Sequence, residues 1–111
     1  MKKLYIYLSA LFIFSCSIES NENKIGIVIH GGAGTILKEN MTPELENSYM
    51  IKLEEAIRTG YDILKNGGPS KDAVEQAIRV MEDSPLFNAG VGAVLTNDER
   101  VSLDASFMDG K

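Results

Sequence analysis

The amino-acid sequence predicts a mixed α and β fold, either α+β or a layered α/β arrangement. Three observations support this prediction: a short β-branched run at residues 25–29, two segments of helical apolar spacing that begin near Thr42 and Ser70, and an apolar–polar–apolar pattern at residues 93–103. Periodicity alone does not decide between the two arrangements.

The first residues of the chain do not belong to this fold. Lys2 and Lys3 precede an apolar run at residues 4–14, which is too short to span a membrane and is typical of a signal peptide. Cys16 follows this run in a pattern that resembles the lipobox of bacterial lipoproteins. We therefore predict a signal peptide at residues 1–15 and lipidation of Cys16, with an unlipidated secreted protein as the alternative.

Composition supports export and excludes one class of partner. Residues 16–24 are polar and aperiodic, as expected of a tether between a lipid anchor and a folded domain at residues 25–111. The net charge is −5, and loss of Lys2 and Lys3 with the leader makes it more negative, so nucleic acid is excluded as a partner. We expect a periplasmic protein that reaches the bacterial membrane only through its lipid anchor.

The domain begins with an apolar run and a glycine-rich loop. Residues 25–29 are apolar and mostly β-branched, which predicts a strand buried on both faces. The loop at residues 30–34 has N–H groups that can face an anion or a carbonyl oxygen, but Leu37 stands where a phosphate-binding loop requires a glycine. For His30, residue chemistry favours a ring bonded to nearby backbone over a catalytic role.

Two helices are predicted next. Thr42 is the predicted N-cap of the first, which ends at residues 67–69, Gly-Gly-Pro, and Ser70 is the predicted cap of the second. Apolar residues at helical spacing predict the core faces: Leu45, Tyr49, Leu53, Ala56, Ile57, Gly60 and Leu64 in the first helix, and Val74, Ala77, Ile78 and Met81 in the second.

A tightly turned loop and a hairpin complete the pattern. Pro85 ends the second helix, and Gly90 and Gly92 permit a tight turn. Residues 93–103 are predicted as two paired strands joined by a polar turn at residues 97–100. A tight loop that leads into a hairpin is an arrangement that builds a site.

Three blocks of the sequence resemble the isoaspartyl peptidase/L-asparaginase family. They are residues 29–36 (Ile-His-Gly-Gly-Ala-Gly-Thr-Ile), 82–94 (Glu-Asp-Ser-Pro-Leu-Phe-Asn-Ala-Gly-Val-Gly-Ala-Val) and 103–110 (Leu-Asp-Ala-Ser-Phe-Met-Asp-Gly), in the family's order and at its intervals. The resemblance implies an N-terminal-nucleophile hydrolase with an αββα sandwich, of which this chain is the N-terminal part. It also implies hydrolysis of β-aspartyl dipeptides and of L-asparagine, which yields L-aspartate and ammonia.

The resemblance further implies a precursor that cuts itself into two subunits. The new N-terminal threonine of the second subunit is then the nucleophile, with its own α-amine as base. In the family this threonine lies in a Gly-Thr-Val-Gly motif, which is expected beyond residue 111. Among the threonines present only Thr35 follows a glycine, and cleavage there would sever the glycine-rich loop from the domain. Residues 1–111 alone are therefore expected to be inactive.

Site residues are implied only where positions match the family. The backbone carbonyls of the loop after the second helix are implied to bind a structural sodium ion: Met81, Glu82, Ser84, Phe87, Ala89 and Val91. Carbonyl oxygens suit a hard monovalent cation, and the alternative is that Glu82 and Asp83 only end a helix in solvent. No cofactor for the chemistry is implied.

Asn88 is the one accessory site residue that the resemblance implies in this chain. Its amide matches a family asparagine that orients the catalytic threonine through hydrogen bonds. The alternative is a loop asparagine that bonds its own turn. Substrate would be a small amino acid or dipeptide, and the second subunit is implied as a partner in a dimer of heterodimers.

Two other functions stay open. An aspartylglucosaminidase-like amidase shares the mechanism and the export, but its N-terminal strand is not usually followed by a His-Gly-Gly-Ala-Gly loop. The more distant alternative is a non-enzymatic surface lipoprotein that keeps the fold. A Gly-Thr-Val-Gly motif further along the gene separates an enzyme from that alternative.

Overall fold

The computed structural model describes residues 24–33 and 37–110, and two packed helices form the framework of this part of the chain. Helix α1 spans Pro43–Lys65 and helix α2 spans Ser70–Glu82. Short 3-10 turns lie at Lys38–Asn40 and Gly90–Gly92.

Several predictions concern residues outside these two ranges. They are the signal peptide at residues 1–15, the lipidation of Cys16, most of the tether, and the rejection of Thr35 as the cleavage site. Within the two described ranges, no helix combines the length and the apolar character that crossing a membrane requires.

Helix α1 begins and ends as the sequence predicted. The Leu45 N–H donates a hydrogen bond to the Thr42 hydroxyl (3.2 Å), which makes Thr42 the N-cap. At the other end Gly67 has φ +79°, and the N–H of Gly68 donates to the Ile63 carbonyl (2.8 Å). This is a Schellman motif, in which a glycine ends the helix by adopting a left-handed conformation.

Helix α2 begins differently from the prediction. Ser70 is its first residue, not its cap, and Pro69 occupies the N-cap position without a side-chain hydrogen bond. The Pro69 carbonyl instead accepts hydrogen bonds from the N–H groups of Asp72 and Ala73, both at 3.2 Å. The ring of Pro69 fixes its φ, and its ψ is extended. The helix therefore starts only at the next residue.

The two helices approach each other closely through small residues. Ala56 and Gly60 of α1 are buried, and so are Ala73 and Ala77 of α2. A Cβ atom at Gly60 would lie 2.8 Å from the Ala73 carbonyl oxygen and 3.3 Å from the Ala77 Cβ atom. The absence of a side chain at Gly60 therefore sets the distance between the helices.

Because the helices lie so close, the buried face of α2 differs from the predicted one. Ala77 and Met81 are buried as predicted, but Val74 and Ile78 are 40% and 41% exposed, and Ala73 is buried in their place. Ala73, Ala77 and Met81 recur at a spacing of four and so share one face of the helix. The larger apolar side chains do not fit where the two backbones come together.

The core lies between the α1–α2 pair and the loop after α2. Ala56, Met81 and Phe87 form one buried cluster there, in addition to Ala73 and Ala77 between the helices. Five half-buried apolar residues pack against them: Ile29, Tyr49, Leu53, Val80 and Leu86. The predicted core position of Tyr49, Leu53 and Ala56 on α1 is thereby confirmed, whereas that of Leu45 is wrong, because Leu45 is 37% exposed.

Residues 24–33 and 37–110 contain no β-strand, so the strand predicted at residues 25–29 is wrong for the described chain. Ile27 and Ile29 are half-buried against the helices, whereas Val28 is 93% exposed. The predicted burial on both faces is therefore wrong as well. An extended run becomes a strand only when a neighbouring strand accepts its backbone hydrogen bonds, and the helices cover only one of its faces.

The predicted hairpin keeps its turn but not its strands. The Thr96 N–H donates to the Arg100 carbonyl (2.8 Å), and the Glu99 N–H donates to the Thr96 carbonyl (2.9 Å). Glu99 adopts φ +57° in this turn. The residues on either side form no ladder, and residues 101–110 are exposed, so the layered αββα sandwich is not present in the described ranges.

Candidate functional site

The candidate site is built on the loop that follows α2. The N–H of Ser84 donates to the Met81 carbonyl (3.1 Å), which turns the chain away from the helix axis just before Pro85. Ser84 is 4% exposed, and its Oγ accepts a hydrogen bond from the Leu86 N–H (3.3 Å). The loop therefore starts from a buried, hydrogen-bonded point at the end of α2.

Two glycines bring the returning half of the loop against its first half. Gly90 has φ +52°, and a side chain there would collide with the Glu82 carbonyl oxygen. A side chain at Gly92 would collide with the Phe87 carbonyl oxygen and lie 2.8 Å from that of Pro85. The tight turn predicted from these glycines is confirmed, and carbonyl oxygens line its inner side.

The predicted cation ligands lie in the last two residues of α2 and in this loop. Three of their carbonyls accept a backbone N–H: Met81 from Ser84 (3.1 Å), Phe87 from Ala89 (2.8 Å) and Ala89 from Gly92 (3.0 Å). A carbonyl oxygen has two lone pairs, so the Phe87 and Ala89 carbonyls each keep one for a cation.

The chemistry of the donors fits a monovalent cation. Within residues 24–33 and 37–110, no group of three or more His, Cys, Asp and Glu side chains is placed to hold a metal ion. Neutral carbonyl oxygens in a closed loop lack the carboxylates that Ca²⁺ and Mg²⁺ sites normally use. The loop therefore fits a sodium ion better than a divalent ion. Glu82 is the last residue of α2, and Asp83 is its exposed C-cap.

Asn88 is exposed and bridges its own loop. Its Oδ1 accepts a hydrogen bond from the Val94 N–H (2.9 Å). This is the loop-bonded arrangement that the sequence left open as an alternative. The bond fixes the plane of the amide and leaves the two Nδ2 hydrogens as donors, so it is compatible with an orienting role.

His30 bonds to its own backbone segment. Its Nδ1 accepts a hydrogen bond from the Gly32 N–H (3.1 Å) in an exposed part of the chain. Residue chemistry favoured a His30 ring that bonds to nearby backbone, and this prediction is confirmed. In a neutral ring this bond places the proton on Nε2.

Tyr49 joins α1 to the loop, and the sequence did not reveal this contact. Its hydroxyl donates to the Leu86 carbonyl (2.7 Å), and its ring meets the Phe87 ring edge-on, with centroids 5.7 Å apart. The sequence placed Tyr49 on the core face of α1 as an apolar residue. A half-buried tyrosine usually finds a partner for its hydroxyl, and that is the signal that could have predicted the contact.

A cavity of about 1040 Å³ lies between the glycine-rich segment, α1 and the loop after α2. It brings together His30 and Asn88, which are far apart in sequence, with Glu82 at the end of α2. Apolar side chains such as Leu53 and Phe87 form much of its wall. Two of the three resembling blocks thus line one cavity, while the third, residues 103–110, is exposed and does not line it.

Residues 23–111 match the model of the asparaginase family. The chain is 49% identical over 87 residues to the plant-type L-asparaginase of Pyrococcus furiosus, an alignment that covers 78% of this chain and 27% of that protein. It is 47% identical over 88 residues to the isoaspartyl peptidase of Salmonella typhimurium, which covers 79% of this chain and 28% of that protein. It is 45% identical over 85 residues to the isoaspartyl peptidase/L-asparaginase of Xenopus laevis, which covers 77% of this chain and 26% of that protein. The chain thus spans about a quarter of the length of the curated relatives it matches.

Proposed function

Because the chain belongs to the asparaginase family, which has the N-terminal-nucleophile hydrolase fold, we propose that it forms part of an enzyme that hydrolyses β-aspartyl dipeptides and L-asparagine. The observation that carries this proposal is the family match over residues 23–111. Relatives named plant-type L-asparaginase and isoaspartyl peptidase support the two substrates. The substrates are small molecules, as the enzyme family implies.

In the proposed reaction a threonine beyond residue 111 is the nucleophile, freed by autocatalytic cleavage of the precursor. Its α-amine takes the hydroxyl proton, and the oxygen attacks the side-chain carbonyl of the substrate. The C–N bond then breaks, and the proton passes to the leaving nitrogen, which departs as ammonia or as the amino group of an amino acid. Water hydrolyses the resulting ester and releases aspartate. The described residues would provide the N-terminal part of an αββα sandwich, joined to the second subunit in a dimer of heterodimers.

The loop after α2 would support this chemistry without touching substrate. We propose that a structural sodium ion binds to its carbonyl oxygens and that Asn88 orients the threonine. Three features support this role: the loop is closed by Gly90 and Gly92, its inner side is lined by carbonyl oxygens, and Asn88 lies at a cavity with free amide donors. The ion would supply charge that holds the carbonyls together.

The function is tested on the full-length protein. We expect a gel to show two subunits and a coupled assay to show ammonia released from asparagine, because the nucleophile is exposed by cleavage. Residues 1–111 alone should do neither. Alanine in place of the motif threonine should abolish both results. Hydrolysis by residues 1–111 alone would contradict the proposal, and preference for a glycosylated asparagine would favour the aspartylglucosaminidase-like alternative.

We also propose that the protein is exported and lipid-anchored through Cys16. In a cell-fractionation experiment, wild-type protein should sediment with membranes, because two or more acyl chains give stable anchoring where one does not. Cys16→Ala should release the protein or block its processing. A soluble wild-type protein that lacks residues 1–15 would instead indicate ordinary secretion.

A further inference from the structure

We propose that Tyr49 is a positioning residue that anchors the loop after α2 and thereby holds the cation-binding carbonyls and Asn88 in place. The inference rests on the function proposed above. It concerns a residue of α1 that lies outside the three resembling blocks of sequence.

Tyr49 holds two consecutive residues of the loop in two different ways. Its hydroxyl donates to the Leu86 carbonyl (2.7 Å), and its ring packs edge-on against Phe87 at an interplanar angle of 79°. Phe87 is 6% exposed and belongs to the core. Asn88 follows directly, so the position of its backbone is set by the pair that Tyr49 holds.

The hydrogen bond also sets the direction of one carbonyl that lies among the proposed ligands. Leu86 is absent from the set of carbonyls proposed as ligands, which includes Ser84 and Phe87 on either side. The Leu86 carbonyl points to the Tyr49 hydroxyl of α1. Without this bond the peptide between Leu86 and Phe87 loses the partner of its carbonyl and is free to turn, which loosens the backbone that leads to the Phe87 carbonyl.

Tyr49 is well suited to be an anchor because its helix is fixed at several points. Helix α1 is capped by Thr42, and Gly60 packs closely against α2. The loop is otherwise held at its start by the Ser84–Met81 hydrogen bond and near its end by the Asn88–Val94 hydrogen bond. Tyr49 ties the middle of the loop to α1, whereas the other hydrogen bonds of Leu86 and Phe87 stay within the loop.

The test compares Tyr49→Phe with Tyr61→Phe in the full-length protein. Both variants remove one hydroxyl from the same helix, but Tyr61 is 41% exposed and does not take part in this loop. The first readout is hydrogen exchange in a peptide that covers residues 84–94. The second is the sodium concentration at which the rise in Tm is half-maximal, measured at constant ionic strength.

We expect Tyr49→Phe to speed exchange in that peptide while exchange in α1 and α2 stays unchanged. The half-maximal sodium concentration should rise about fivefold, the factor that corresponds to a lost hydrogen bond of ordinary strength. The kcat should fall with KM unchanged, because the loop does not contact substrate. Tyr61→Phe should match wild type in every readout.

The inference is overturned if Tyr49→Phe and Tyr61→Phe show the same exchange and the same sodium response, even when Tyr49→Phe melts earlier. A lower Tm alone would mean that Tyr49 only packs the core. An active wild-type protein without any sodium response would overturn the cation-holding role. If the wild-type protein fails to hydrolyse either substrate, the proposed function fails, and the exchange comparison still decides whether Tyr49 anchors the loop.

Discussion

Gly90→Val in the full-length protein is expected to lower the free energy of unfolding by on the order of 4 kcal/mol and to remove most of the hydrolytic activity. Two costs combine at this position. Gly90 has φ +52°, which a β-branched residue adopts only with strain. Its Cβ atom would also collide with the Glu82 carbonyl oxygen, which is backbone and cannot turn aside. Urea unfolding and turnover measure the two effects.

Gly67→Val provides the matched control. Gly67 also has a left-handed conformation, with φ +79°, but a Cβ atom there meets nothing within 4 Å. Gly67→Val should therefore show the strain without the collision. We expect it to lower the free energy of unfolding by about 2 kcal/mol and to keep its activity. If Gly90→Val proved as stable as Gly67→Val, the two halves of the loop would not be in the close contact described.

Glu82→Gln separates carbonyl from side-chain ligands at the same loop. The substitution removes a charge but keeps the backbone carbonyl that the proposed sodium site uses. The sodium response of Glu82→Gln should therefore equal that of wild type. If Glu82→Gln abolished the response while Gly90→Val left activity intact, the ligands would be side chains.

Gly60→Val is expected to destabilise the protein by about 3 kcal/mol, because it overpacks the contact between α1 and α2. A Cβ atom at Gly60 would lie 2.8 Å from the Ala73 carbonyl oxygen and would meet the end of the Ile27 side chain. Ile27 can change rotamer, but the Ala73 backbone cannot move without shifting α2. The measurement is the free energy of unfolding in urea.

The sign of the stability change in Gly60→Ala makes this test sharper. In a helix without neighbours, replacing glycine by alanine stabilises by about 1 kcal/mol. At Gly60 the added methyl would fall inside contact distance of Ala73, so we expect destabilisation instead. A gain in stability would show that the helices lie further apart than described.

Local sequence determined the two helices and both ends of α1. Thr42 and Gly67 act within one or two turns of their own positions, through a side-chain cap and a left-handed φ. The same is true of the tight turn at Gly90 and of the hydrogen bond between His30 and Gly32. These features were predictable because their physical causes lie within a few residues.

The strands were not predictable in the same way. Residues 25–29 have the composition of a buried strand, but a strand requires a partner that local sequence does not specify. In the described chain Val28 is 93% exposed, whereas Ile27 and Ile29 are half-buried against the helices. Composition predicted a strand, and only tertiary structure decides whether such a run becomes part of a sheet.

By itself the sequence determined the family to which the chain belongs, the two helices and the glycine-shaped loop, because motifs and caps depend on residues that are close in sequence. Only the tertiary structure decided that Ala73 replaces Val74 in the core and that Tyr49 holds Leu86 and Phe87. Both contacts depend on how closely α1, α2 and the loop approach one another. That distance is set by packing between residues far apart in the chain, for which periodicity carries no signal.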